Sequence, residues 1–254
     1  MKELISTVKG VKPIAENVYE LTVTLPESAG EIKGGQFLNI STGDGSRLLK
    51  RPFGIVRADG NDVTVCFQIK GEGTVALSQA KVGDKLSVLL PLGNGFNLPK
   101  SAKNVVIIGG GVGVFPIVPV VSGNADKKFY SYLGFRNKAC ACFLEEFERG
   151  GKLTVVTDDG SLGNKDNAVN AYFKEVNSVP ADLIIACGPP VMLRALKQKL
   201  KENNVKTPCL VSLEERMGCG IGACLVCVCK KSDGSNARVC KDGPVFDINE
   251  VTLD

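Results

Sequence analysis

The chain has 254 residues and no histidine. Imidazole is the commonest side-chain base near neutral pH and the usual partner of cysteine in mixed zinc sites and in thiol nucleophiles, so chemistry of those kinds is excluded. Basic blocks interleaved with aromatics are also missing. The formal net charge of +4 is spread along the sequence, which argues against a nucleic-acid surface. The opening MKELISTVKGVKP has no apolar core of signal-peptide length, so a cytoplasmic location is expected, where disulfides are rare. There is no internal repeat and no low-complexity tract. One run, VVIIGGGVGVFPIVPVV at residues 105–121, approaches membrane-spanning length, but four glycines and two prolines interrupt it. A buried strand, a turn and a helix start account for it better.

Cysteine, by contrast, is plentiful: the chain has ten, four of them within EERMGCGIGACLVCVCK at residues 214–230. Cys219, Cys224 and Cys227 follow the pattern Cys, four residues, Cys, two residues, Cys, and Cys240 lies further on. This is the plant-type spacing for a [2Fe–2S] cluster, in which four thiolates hold two irons. Gly218, Gly220 and Gly222 suit a backbone that winds tightly and aims its amides at sulfur. Structural zinc is the bland alternative, and it usually takes two short Cys-x-x-Cys pairs or histidine. Cys229 follows Cys227 by two, as alternate residues of a strand do, and is expected to pack and not to ligate. Cys66, Cys140, Cys142, Cys187 and Cys209 lie in apolar stretches and are read as structural.

A hydrophobic share of 44% and a charged share of 23% are those of a globular protein, and the length suits two domains or one with an appendage. Three sections follow from the periodicity. Up to residue 100 the pattern alternates, as at Tyr19, Leu21, Val23 and Leu25, then Val63, Val65, Phe67 and Ile69. Turns between such short strands predict an antiparallel β-barrel over 1–100. Over 101–208 the apolar runs VVIIG, KFYSYLGF, KLTVV and DLIIACG alternate with helical stretches, which predicts an α/β domain on a parallel sheet. The remaining 209–254 is too short for a core of its own, a deficit that a bound cofactor would offset.

Glycine-rich turns sit where phosphates bind. Gly111-x-Gly113-x-x-Pro116 follows a predicted buried strand and opens a helix, where amides and the helix dipole favour an anion. Arg51, Pro52, Phe53 and Gly54 lie at one barrel turn, and Gly71, Glu72, Gly73 and Thr74 at another. An arginine fork and amides at a helix start suit a pyrophosphate. Cys187, Gly188 and Pro189 end the last parallel strand, an edge at which such sheets bind ligands. Each motif alone has an ordinary reading as a turn; their weight comes from company.

In order, RPF, GEGT, GGGVGVFP, TDDGSLG, CGPPVML, SLEERMGCGIGACLVC and CKDGPVF resemble the electron transfer subunits of dihydroorotate dehydrogenase B, within the ferredoxin reductase superfamily. The resemblance implies a barrel domain holding FAD, a nicotinamide nucleotide domain for NAD, and a C-terminal [2Fe–2S] segment. It implies that Arg51, Pro52, Phe53 and Gly54 make the first FAD contact. Cys66, Phe67 and Gln68 would form the strand beside the flavin, and Gly73 with Thr74 the pyrophosphate turn. Gly111, Gly113, Cys187, Gly188 and Pro189 would line the nicotinamide site. The chain departs from the family at Gly54, usually Ser or Thr, at Gln68, usually Arg, and at Phe115, usually a small residue. Dihydroorotate chemistry is expected on an FMN-containing catalytic partner within a heterotetramer of pyrimidine biosynthesis, so no catalytic acid or base is expected here. The alternatives are another FAD and iron–sulfur NAD(P)H reductase, with Arg136 able to meet a 2′-phosphate, and a redox sensor.

Overall fold

The structure is a computed structural model describing residues 1–43, 45 and 47–253. Six strands build the barrel: β1 (Lys2–Ala15), β2 (Val18–Thr24), β3 (Phe37–Ile40), β4 (Arg51–Asp59), β5 (Asp62–Gln68) and β6 (Lys85–Leu92). They run in the order β1-β2-β5-β4-β3-β6, closed by antiparallel pairing of β1 with β6. The alternation in the sequence is the reason: Leu21 and Val23 of β2, Val63 and Val65 of β5, and Leu86 and Val88 of β6 point into one apolar interior. The outer positions of β5 are buried too. Cys66 joins a second core made with the α/β domain, because that domain packs against this barrel wall. Between β5 and β6 lies the short helix α1 (Glu72–Ser78).

The run at 105–121 resolves as expected. Strand β7 (Asn104–Gly110) is followed by a 3₁₀ turn over Gly111–Ile117 and by α2 (Val118–Ser122). Then come β8 (Lys128–Phe135), α3 (Leu144–Gly150), β9 (Gly151–Thr157), β10 (Asn164–Lys165), α4 (Ala168–Glu175), β11 (Leu183–Cys187), α5 (Pro190–Glu202) and β12 (Cys209–Ser212). The sheet order is β10-β9-β8-β7-β11-β12, parallel throughout. The chain leaves β7 towards β8 and later returns to β11 on the other side. The carboxyl end of β7 is thus the switch point at which such sheets open a crevice. Helices α2 and α3 cover one face with Val118, Val121 and Phe147, while α4 and α5 cover the other with Tyr172, Leu193 and Leu196.

The last section continues this sheet. After β12 come the cysteine loop, the hairpin of β13 (Val228–Lys230) with β14 (Asn236–Arg238), and β15 (Val245–Asp247), which pairs antiparallel with β12. Its apolar residues Val239, Phe246 and Ile248 share one core with Ile184 of β11 and Leu196 of α5. The segment thus has no core of its own and draws on that of the neighbouring sheet and helix. Asn94, just past β6, ties the segment to the barrel: its Nδ2 donates to the carbonyl oxygens of Asp242 and Val245, each at 3.1 Å, and its Oδ1 accepts from the Val245 amide at 3.2 Å.

Candidate functional site

Two cavities open where barrel, sheet edge and cysteine loop meet. The first, of about 250 Å³, is walled by Pro52, Phe53 and Gly54 of β4, Cys66, Phe67 and Gln68 of β5, and Thr74 of α1. Its far side is Cys187, Ser212 and Glu214 at the sheet edge, with Met217 from the cysteine loop. Phe53 and Phe67 stack with ring centroids 5.1 Å apart, giving this chamber a flat apolar wall. Gly54 leaves room for the neighbouring domain. A Cβ there would lie 3.0 Å from Cβ of Pro116, so the lack of a side chain at this position makes way for the Phe115-Pro116 turn.

Arg51 and Gly73 stand together beside this chamber without lining it. A Cβ on Gly73 would collide with the Arg51 guanidinium, so only glycine lets the arginine lie across the start of α1. Arg51 is anchored by a hydrogen bond to the Leu49 carbonyl oxygen. The Thr74 hydroxyl closes its own turn, accepting from the amides of Lys70 and Gly71 at 2.9 and 3.1 Å and donating to the Gly71 carbonyl. It shapes the turn and is engaged there.

The second cavity, of about 480 Å³, lies over the carboxyl ends of β7, β8 and β11. Gly111, Gly113, Gly188 and Pro189 line it, together with Arg136 and Asp158. A Cβ on Gly113 would stand 2.5 Å from the Cys187 carbonyl oxygen and 2.7 Å from Cα of Gly188, so a missing side chain is what lets the two phosphate-type turns touch. Cys187 itself lines the first cavity, and burial pushes its thiol pKa above the ordinary range. Cys140 and Cys142, read as structural, also border the second cavity, and burial pushes the Cys142 thiol up to about 12.

Sequence reasoning gave no role to Lys70, Val112 and Glu214, which border both cavities; Gln68 and Phe115 complete the shared wall. Glu214 is exposed to the cavity yet hemmed in by protein on its other sides. That desolvation raises its carboxyl pKa, and Lys70 opposes the rise. The stretch SLEERMG contained the signal, but an acid in such a context is indistinguishable from a surface carboxylate until the chain folds.

The cysteine loop brings its thiols together in pairs. Cys219 Sγ accepts from the amides of Ile221 and Cys224, and Cys224 Sγ from the amide of Cys219, all at 3.4 Å. Cys227 Sγ accepts from the amide of Cys240 at 3.4 Å. Burial opposes ionisation of Cys219, but the amides of Ile221 and Cys224 outweigh it and hold the thiol down at about 6. Gly220 and Gly222 have φ of +74° and +83°, a left-handed winding that aims these amides inward. Among the described residues no three histidine, cysteine, aspartate or glutamate side chains converge on one ion. Two pairs, each offering two sulfurs, suit a two-iron cluster better than a single zinc, and amide donors to sulfur fit the charge such a cluster carries. Cys229 lies on β13 in the shared apolar core.

Residues 214–252 match the family described as the iron-sulfur cluster binding domain of dihydroorotate dehydrogenase B. The chain is 37% identical over 257 residues to the dihydroorotate dehydrogenase B (NAD(+)) electron transfer subunit of Streptococcus mutans, covering 98% of this chain and 97% of that protein. It is 41% identical over 246 residues to the subunit of the same name from Caldanaerobacter subterraneus, covering 94% of each. Among solved structures, an NADH-dependent reduced ferredoxin-NADP oxidoreductase superposes with a TM-score of 0.87 at 29% identity, over 98% of this chain and 90% of that one. Phthalate dioxygenase reductase shares the fold, with a TM-score of 0.67 at 17% identity over 91% of this chain and 87% of that one. From barrel to cysteine loop, the chain belongs to the family of dihydroorotate dehydrogenase B (NAD(+)) electron transfer subunits.

Proposed function

We propose that this chain relays electrons between an FMN-containing catalytic subunit that oxidises dihydroorotate and NAD⁺, as part of a cytoplasmic heterotetramer serving pyrimidine biosynthesis. The observation that carries this reading is the shared wall of Gln68, Lys70, Val112, Phe115 and Glu214 between the two cavities, with Met217 of the cysteine loop on the first. FAD in the first cavity would supply the link between one-electron carriers and hydride chemistry, because a flavin holds one electron or two. Pro52, Phe53, Gly54, Cys66, Phe67 and Gln68 would seat it. Cys219, Cys224, Cys227 and Cys240 would hold the cluster.

The remaining residues orient and exclude. Phe115 is buried, meets Phe143 edge to face with ring centroids 5.8 Å apart, and narrows the passage between the cavities. Gly111, Gly113, Gly188 and Pro189 would present the nicotinamide across that passage. Arg51, held over the start of α1, would face the pyrophosphate. Arg51→Ala should raise the FAD dissociation constant by at least roughly tenfold, the lower end of what losing one charge-assisted hydrogen bond of ~1.5–3 kcal/mol gives, measured by fluorescence titration of the flavin-stripped chain. Unchanged affinity would place the pyrophosphate elsewhere.

Glu214 gives a pH test. Its raised pKa means that the folded chain binds this proton more tightly than the unfolded chain, so its contribution favours folding at acid pH and weakens as pH rises through the ordinary carboxylate range towards the raised value. Glu214→Gln should raise the thermal midpoint of the flavin-free chain at neutral pH relative to the parent, with the two curves converging below the ordinary range. A constant offset at every pH would mean that the carboxyl is not held up.

The function itself is tested with the purified chain. It should reduce artificial acceptors with NADH, show no dihydroorotate oxidation alone, and gain NAD⁺-linked oxidation when an FMN-bearing partner is added. A strong preference for NADPH, through Arg136 in the second cavity, would favour a ferredoxin-type reductase instead.

A further inference from the structure

Strand β3 is buried on both sides. Leu38 and Ile40 enter the barrel core, while Phe37 and Asn39 point outward, as alternation along a strand requires. Phe37 lines the first cavity and shares a core with Cys227 and Cys240. Asn39, two residues on, therefore lies on the strip of barrel between the flavin chamber and the cysteine loop. Only 1% of it is exposed. A Cβ on Gly220 would run into the Asn39 Nδ2 and lie 3.2 Å from its Cγ, so the amide is pressed against the loop between Cys219 and Ile221.

Among the described residues this amide has no hydrogen-bond partner. Its Oδ1 is buried without a partner, and among the described residues no hydrogen bond uses its Nδ2. A buried carboxamide brings two donors and an acceptor, and leaving them unmade is costly. Leucine of similar size would cover the same surface without that penalty. The group turned to Gly220 is the Nδ2 donor, which an acceptor supplied from outside the polypeptide would match, and the acceptor gathered on that loop is sulfur; Oδ1, itself an acceptor, gains no partner from it. The amides already aimed at Cys219 and Cys224 belong to the loop; Asn39 approaches from the barrel side, towards the flavin.

We propose that the Asn39 side chain donates a hydrogen bond to the sulfurs of the cluster held at Cys219 and Cys224, and that this bond helps set the cluster's reduction potential on the side facing the flavin chamber. The inference rests on the cluster assignment above. Hydrogen bonds to cluster sulfur favour the more negative, reduced form, so they raise the potential, and removing one lowers it. Asn39 is a positioning and tuning residue in this scheme; it neither ligates iron nor takes up the electron.

The test uses the full chain purified anaerobically with its cluster. Asn39→Leu should keep its iron and sulfide, while an EPR-monitored redox titration shows the reduction equilibrium shifted against the reduced cluster by about tenfold, which is about 59 mV for a one-electron couple. Asn39→Asp, equal in shape but lacking the donor, should move the same way at least as far. A purely structural role would cost thermal stability or iron and leave the potential of the intact clusters where it was, and that result would overturn the proposal. Should both variants lose the cluster, the parent chain labelled with [¹⁵N]asparagine decides: pulsed EPR of the reduced cluster should show a ¹⁵N coupling, and its absence refutes the bond. A parent chain with no iron–sulfur signal at all would overturn the cluster assignment, a separate and recognisable failure.

Discussion

Serine at Cys219, Cys224, Cys227 or Cys240 should strip the chain of its visible charge-transfer absorbance and of most of its iron, whereas Cys229→Ser should leave both in place. Each of the four sulfurs stands in one of two pairs, so in the proposed cluster a single loss would leave one iron short of a ligand. Cys227 and Cys240 are buried, and serine there also places a hydroxyl in the shared apolar core. Partner-linked dihydroorotate oxidation should then fall by more than about a hundredfold, a barrier increase of roughly 2.7 kcal/mol or more. NADH-driven reduction of the flavin, which precedes the cluster in that direction, should survive. Iron analysis and the visible spectrum give the first readout, and stopped-flow flavin reduction the second. Zinc in place of iron in anaerobically prepared protein would end the cluster reading.

Gly113→Val carries the other large effect. The site has no room even for a methyl group, because a Cβ falls 2.5 Å from the Cys187 carbonyl oxygen, and the opposing atoms are backbone at the end of β11. Relief requires these two turns to separate, and with them the floor of the second cavity. Flavin reduction by NADH should slow by about a hundredfold or more, and because Cys187 also walls the first cavity, FAD retention should weaken as well. Gly111→Ala is the control. Open space surrounds Gly111, so only its φ of +52° opposes a side chain, at a cost of about 1–2 kcal/mol of stability. Circular-dichroism melting should show that smaller loss, and NADH-dependent reduction should fall far less than in Gly113→Val. Equal damage from both substitutions would mean that the approach of the two turns does not matter.

Much of this was legible in the residues themselves. Alternation at Leu21, Val23, Val63 and Val65 marked barrel strands because a pleated strand sends successive side chains to opposite faces, and one face of these is the core. The spacing of the four cysteines and the glycines around them marked a sulfur site because short loops with left-handed residues constrain where thiols can point. Gly111, Gly113, Gly188 and Pro189 were marked by their place at strand ends.

Only folding decided what those local patterns leave open. Cys187 reads as part of a nucleotide turn but faces the first cavity, since its strand pairs with β12 and sets it opposite Ser212. Cys66 and Asn39 sit at outward positions that a barrel in isolation would expose to water; packing of the α/β domain and of the cysteine loop buries them. Glu214 and Lys70, far apart in sequence, meet at the wall between the two cavities. The sequence by itself determined the strands, the turns and the thiol spacing, because each depends on residues within a few positions of one another. Tertiary structure alone decided which buried polar groups lack partners and which turns touch, because burial and close approach depend on surfaces brought together from distant parts of the chain.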